Sequence, residues 1–447
     1  MELILILLLA ILLTMCLGCS AKQEETSGLQ NTGVNGENAG QSIHIIAYTR
    51  LTLMALFCAT GVQAEDWPFY RGPQFNGSSR ETGWNPKWPD GQPPVAWQRD
   101  LGIGASSFTI VGDRVFTMGN KNDQDIVWCL NAADGRVIWK ATYPCTFEKR
   151  MYEGGTAATP TIDGNRVYAF SYDGQLVCLN ITDGREIWRK HMVTDYGGKR
   201  SRWKYAGSPL IMGDQLFLDI GGEGSSTISL DKSTGAKIWG NGSDSAGYST
   251  IIPFVNGGAE ALLVFKGKYM NAQSPDDGKE FWSLNWKTSY DVNASSPIPL
   301  GEHILITSGY RGGRAVLYNV SGSKPRQIWR NDDIKTKMSS AVVAGACVYA
   351  VTEAGAKLVC ADLKTGKTLW SQKGTGQFGT LTHAGDTLIV LTERGELWTV
   401  KPDRKRFSLI AKGQVLKGRC WVAPAMANGR IYCRNNQGSA VCVAVNR

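Results

Sequence analysis

One short pattern, repeated along the chain, constrains the fold more than any other feature. It reads LNAADGRVIW ending at Trp139, LNITDGREIW ending at Trp188, LDKSTGAKIW ending at Trp239 and ADLKTGKTLW ending at Trp370. In each copy a glycine stands four residues before the tryptophan. SPDDGKEFW closes at Trp282 with Gly278 in the same place, and SGSKPRQIW closes at Trp329 with Pro325 instead. The closing aromatics recur at roughly 44 residues, the length of a four-stranded propeller blade. A ligand site occurs once in a protein, whereas this motif recurs in nearly every unit, so it must serve the units themselves. Its Asp-Gly step supplies the positive φ of a tight hairpin turn, and its indole packs between neighbouring units.

Each unit has the same internal order. Small residues come first, as in Ala157-Ala-Thr-Pro160, Ala206-Gly-Ser-Pro209 and Ala294-Ser-Ser-Pro297, where inner strands crowd about an axis. An apolar strand, a turn such as Asp163-Gly-Asn165, and two further strands lead to the tryptophan-bearing strand. Inner sets begin near residues 105, 156, 205, 247, 293, 337, 377 and 420. The closing aromatics are Trp97, Trp139, Trp188, Trp239, Trp282, Trp329, Trp370 and Phe407. The last inner set lacks a closing strand, and the first closing strand, PPVAWQ at Trp97, precedes any inner set. Joining these two leftovers predicts an all-β, eight-bladed propeller, its ring closed by an N-terminal strand in the last blade.

Composition agrees, since only 19% of residues are charged while Gly (52) and Trp (15) are abundant, as short strands and tight turns require. The net charge of +9 is spread over 48 basic residues, and no nucleic-acid motif accompanies it. Residues 1–64 form an export region, with residues 65–447 left for the propeller. An apolar run at 3–13 leads to Cys16-Leu-Gly-Cys19, where Cys19 fits a lipidation site. A second segment, RLTLMALFCATGVQA over 50–64, has a basic start, a short apolar run and a small-residue cleavage site. The chain is expected outside the cytoplasm, in the periplasm or at the outer membrane. Cys129, Cys178, Cys360 and Cys442 fall at equivalent places in the repeat and read as small buried residues. Cys420 with Cys433, or Cys347 with Cys360, are the pairs placed to bridge neighbouring strands. His44, His191, His303 and His383 are scattered, and no metal set is visible.

These repeats resemble those of the pyrroloquinoline quinone (PQQ) dehydrogenase superfamily, the quinoprotein alcohol dehydrogenase-like propellers. The resemblance covers about residues 67–447 and implies eight blades docked by Gly-x-x-x-Trp motifs. The lead-in Trp67-Pro-Phe-Tyr-Arg-Gly-Pro73, followed by Asn76-Gly77, resembles the start of a BamB-like group of exported proteins. The superfamily holds both quinoprotein enzymes and non-catalytic members. For the enzymes it implies an adjacent Cys-Cys disulfide beneath PQQ, carboxylate and amide ligands for Ca2+, and an aspartate base. No two cysteines are adjacent here, CxxCH is absent, and no motif carries the ligands over. The resemblance therefore implies a non-catalytic scaffold or binding protein of the cell envelope, with no cofactor. The alternative is a divergent PQQ- and Ca2+-dependent alcohol or sugar dehydrogenase.

Ligands of propellers bind over the central channel, on the face whose loops join one blade to the next. Two such loops are long, 143–154 and 191–205. The candidate rim is Arg150, Glu153, Lys199, Arg200, Arg202, Trp203, Arg311 and Arg314, with Lys266-Gly-Lys-Tyr269 on the same face. Guanidinium groups interleaved with aromatics suit an anionic ligand, a peptide or a saccharide. The expected partner is an envelope protein or polymer, bound by a monomeric propeller.

Overall fold

The computed structural model describes residues 64–148 and 154–446, within one compact unit running from Val62 to Arg447. Both export-type segments and Cys19 lie outside the described residues. Eight sheets, each built on four antiparallel strands, form the blades of a propeller. Blade 1 runs outward from Thr109–Val111 through Arg114–Lys121 and Gln124–Asn131 to Val137–Pro144. Blades 2 to 7 repeat that order from inner strands Thr161–Asp163, Leu210–Met212, Ile252–Asn256, Ile298–Leu300, Val342–Ala344 and Thr380–Ala384. Blade 8 takes Ala425–Ala427, Arg430–Arg434 and Ser439–Ala444 from the end of the chain. Its outer strand is Val95–Asp100, antiparallel to Ser439–Ala444, with Trp97 opposite Cys442. The predicted blade number and ring closure are those observed.

The tryptophans explain the recurring motif. A one-residue bulge precedes each of them, as between Glu186 and Trp188, and turns the indole out of its own sheet. In five of the seven, all but Trp282 and Trp370, the ring then lies on the motif glycine of the next blade. A Cβ on Gly184 would stand 2.5 Å from the Trp139 ring, so only glycine lets the two meet. The same approach recurs at Gly135 under Trp97, Gly235 under Trp188, Gly278 under Trp239 and Gly366 under Trp329. Each indole N–H reaches a carbonyl of the same turn: Trp139 to Ile181 at 2.9 Å, Trp329 to Leu363 at 2.8 Å and Trp370 to Asp403 at 2.8 Å. Trp282 differs, because Pro325 occupies the place of the glycine on blade 5. Its N–H bonds to Asn256 Oδ1 of its own blade instead.

Small hydroxyl residues at each inner strand stitch the blades around the axis. The Ser107 N–H donates to Thr159 Oγ1 (2.9 Å), Thr159 N–H to Ser208 Oγ (2.9 Å) and Ser208 N–H to Thr250 Oγ1 (3.0 Å). Across the ring, Ser296 N–H donates to Ser340 Oγ (2.8 Å), and the Ser107 hydroxyl closes the circle on Ala423 O (3.0 Å).

Two expectations change. Phe407 is not a closing aromatic: the strand is Ser408–Gln414, and Ala411, opposite Thr399 after the bulge, takes the tryptophan position. The seam between blades 7 and 8 is filled from the N-terminus, by buried Trp84 and Trp88 packed with Leu397 and Leu416. The eight described cysteines are free and buried. Cys347 pairs with Asp362 and Cys360 with Tyr349, so their thiols are only diagonal neighbours, and Cys420 and Cys433 are likewise unbridged. Cys129, Cys178, Cys360 and Cys442 stand opposite Trp139, Trp188, Trp370 and Trp97, a place filled by Ser229, Ala272 and Leu317 in other blades.

Candidate functional site

The stretch Trp67–Gly77 packs on itself and then crosses the inner edges of the blades. The Trp67 ring lies over Gly72, where a Cβ would come within 2.7 Å, and the Arg71 guanidinium lies over Gly77. Trp67 exchanges backbone hydrogen bonds with Ile110 of blade 1 (2.8 and 2.9 Å), and Pro68 O accepts from Ile162 N of blade 2 (3.0 Å). Phe75 packs on the cores of blades 3 and 4. Arg71 is buried and donates to Asn76 O and Ala341 O of blade 6, both at 2.6 Å. Ser78–Ser79 then runs parallel to the inner strand of blade 7. The segment thus touches the inner edges of six blades, with Tyr70 lining the central cavity.

This cavity has a volume of about 370 Å³, near the lower bound for small-molecule sites. Tyr70, carried by that segment, and Ala105, Ala157, Ala206 and Ala294 of the inner-strand starts form its walls. Trp203, Tyr248, Tyr310, Met338 and Trp421 form the mouth. Trp203, Tyr248, Met338 and Trp421 hang from loops between blades, and Tyr310 from the loop between the second and third strands of blade 5. Burial raises the phenols of Tyr70 and Tyr248 and pushes Tyr310 up to about 12, so all three stay protonated as hydrogen-bond donors. Three cations lean on the mouth aromatics. The Arg202 guanidinium stands 5.2 Å over Trp203, Lys337 Nζ 5.2 Å over Tyr310, and the Arg419 guanidinium 5.0 Å over Trp421. Lys337 also pairs with Glu353 at 3.1 Å.

The residues singled out by sequence divide accordingly. Trp203 lines the cavity and Arg202 stands over it. Lys199, Arg200 and Arg311 are exposed on loops of the same face and do not line the cavity. Arg314 stacks 3.8 Å over buried Trp286, within blade 5's side of the seam. Arg150 and Glu153 lie outside the described residues. Lys266 is a correction: it is buried and held 2.7 Å from Asp219, a paired charge within the seam of blades 3 and 4. Tyr205 is core, its hydroxyl bound to Ile220 O (2.8 Å). Tyr310, in the turn 310–314 expected on this face, lines the cavity; sequence reasoning missed Tyr70, Tyr248, Lys337 and Trp421, which no repeat marks. The available signals were cations set close to aromatics, Arg202-Trp203, Tyr310-Arg311 and Arg419-Cys-Trp421.

The described lining does not fit a PQQ–Ca2+ pair. It offers one amide, Asn436, and no carboxylate, where Ca2+ takes several oxygen donors. Among the described residues no group of three or more His, Cys, Asp or Glu side chains is arranged to hold a metal ion. The groups present can stack, donate and accept hydrogen bonds, and attract an anion.

An eight-bladed ring with an aromatic mouth defines a propeller of the PQQ-repeat class. The chain belongs to the family described as outer membrane protein assembly factor BamB, matched over residues 89–250, 199–408 and 266–447. No curated protein sequence matches it. Among solved structures it is similar to BamB from Moraxella catarrhalis, at 15% identity and a TM-score of 0.58, over 77% of this chain and 95% of that one. It is also similar to quinohemoprotein alcohol dehydrogenase from Comamonas testosteroni, at 14% identity and 0.62, over 86% and 81%. A europium-containing methanol dehydrogenase matches at 11% identity and 0.62, over 83% and 90%. Likeness at these identities shows the fold alone.

Proposed function

We propose that the protein is an exported, non-catalytic propeller of the cell envelope that binds its ligand or partner at the channel mouth. The observation that carries this reading is the chemistry of the described lining: phenols, indoles, hydroxyls, one amide and small residues. Such a set binds, but it holds no nucleophile–base pair and no carboxylate to act as general base. Family membership and the two export-type segments support an envelope location. The partner is an envelope protein or polymer, met by a single propeller. Fractionation of cells expressing the full chain, with mass measurement of the N-terminus, tests the location. Recovery in the envelope, with the N-terminus cut within or after residues 1–64, is expected. Uncut protein in the cytoplasm would overturn the reading.

A further inference from the structure

The charge and ring geometry of the mouth narrow the ligand further, and this step rests on the binding-protein reading. We infer that the mouth binds an acidic saccharide, a pyranose ring stacked on the Trp203 side with its carboxylate beside Arg202.

Four observations lead there. First, Tyr70 of the N-terminal segment lines the same cavity as the inner-strand starts, so a ligand entering the mouth meets a phenol that lies across the axis. Second, the rings of the mouth stand across one another: Trp203 meets Tyr248 at 62° and Tyr290 at 90°, and Tyr290 meets Tyr310 at 83°. Phe378 and Trp421 are parallel within 23°, but at 4.4 Å they already stack on each other. No parallel slot therefore waits for a flat polycycle. Faces on adjoining sides suit a puckered ring that projects C–H groups in several directions and hydroxyls around its edge. The hydroxyls of Ser208 and Thr250 and the phenols of Tyr70, Tyr248 and Tyr310 border the same space.

Third, a cage of crossed aromatics also suits a cation, and charge decides against one. Arg202 stands over Trp203 and, at 6.0 Å, over Tyr290; Lys337 covers Tyr310 and, at 4.6 Å, Phe378. Arg419 stands over Trp421. Lys337 is neutralised by Glu353, and Asp291 acts on Tyr248, so the positive charge that an incoming ligand meets on the Trp203 side is that of Arg202, which repels a cation and draws an anion. Arg202 is the exposed member, and its planar fork matches a carboxylate. Fourth, Lys204 (φ 66), Tyr290 (φ 66), Asp291 (φ 56) and Tyr310 (φ 62) hold left-handed backbone at the mouth. Such conformations cost free energy and persist where the surroundings enforce them, as at ligand clamps.

The test is calorimetric titration of the full chain with three probes: trigalacturonate, uncharged cellotriose and the tripeptide Gly-Gly-Phe. Trigalacturonate should bind one to one, about tenfold tighter than cellotriose, the value of one charge-assisted hydrogen bond. Arg202→Ala should erase that preference, read as the ratio of trigalacturonate to cellotriose affinity within the same variant. Trp203→Ala should abolish both saccharides while the variant keeps a single cooperative unfolding transition, which shows that it is still folded. Absence of binding by either saccharide, tighter binding of the tripeptide, or an acid preference that survives Arg202→Ala would each overturn the inference. Turnover with PQQ would defeat the non-catalytic reading whether or not saccharide binds, so the two failures are distinguishable.

Discussion

Trp139 shows how one side chain joins two blades, through its hydrogen bond to Ile181 O and its seat on Gly184. Removing a buried indole costs the lost burial and the cavity left behind, so Trp139→Ala should lower stability by about 3–5 kcal/mol in urea melting. Trp282→Ala should cost less, because Trp282 meets no glycine on blade 5 and bonds within its own blade. Equal losses for the two variants would contradict inter-blade docking as the reason for the motif. Gly184→Ala should be as damaging as Trp139→Ala, since its φ is +73° and its Cβ would strike the indole. The same melts check it.

At the scale of the element, the stretch 67–77 is held by contacts a few residues apart, Trp67 on Gly72 and Arg71 on Gly77, and by bonds to blades 1, 2 and 6. Arg71→Ala removes the donor from two carbonyls, Asn76 O and Ala341 O, and should cost about 1–3 kcal/mol. Limited proteolysis checks this, with faster cleavage inside residues 64–79 expected while the blades stay intact. Cleavage first in the blades would show that the segment is no separate element. The blades were legible in sequence because each repeats one hairpin chemistry, and Trp97 could be assigned to the last blade simply by counting. Phe407 misled because an aromatic stood near the right interval, while the actual position holds Ala411 and the seam is packed by Trp84 and Trp88. The site was legible at Arg202, Trp203 and the turn that carries Tyr310. Its other walls come from loops that differ from blade to blade, and Tyr70 arrives from a segment whose path across the channel no local pattern encodes.

At the scale of the whole molecule, the ring is held shut from its N-terminal side, and one buried acid makes that closure sensitive to pH. Glu81 is fully buried, and its carboxylate accepts the Gly429 N–H of the last blade. Burial pushes its carboxyl up to about 7, above the ordinary value of about 4.3 in an unfolded chain. The folded state therefore keeps a proton that the unfolded state releases. This contribution is full below the lower value and is lost as pH rises through about 7. The unfolding temperature should fall between about pH 4 and pH 7, and Glu81→Gln should flatten that fall. A wild type as flat as the variant would contradict the assignment. The central claim, a binding propeller with an aromatic mouth in place of cofactor chemistry, is tested most directly by one titration. The full chain is titrated with PQQ and Ca2+ in a calorimeter, and dye reduction with simple alcohols is followed in the same samples. Neither heat of binding nor dye reduction is expected. Tight one-to-one binding with turnover would contradict the account and place the protein among the quinoprotein enzymes.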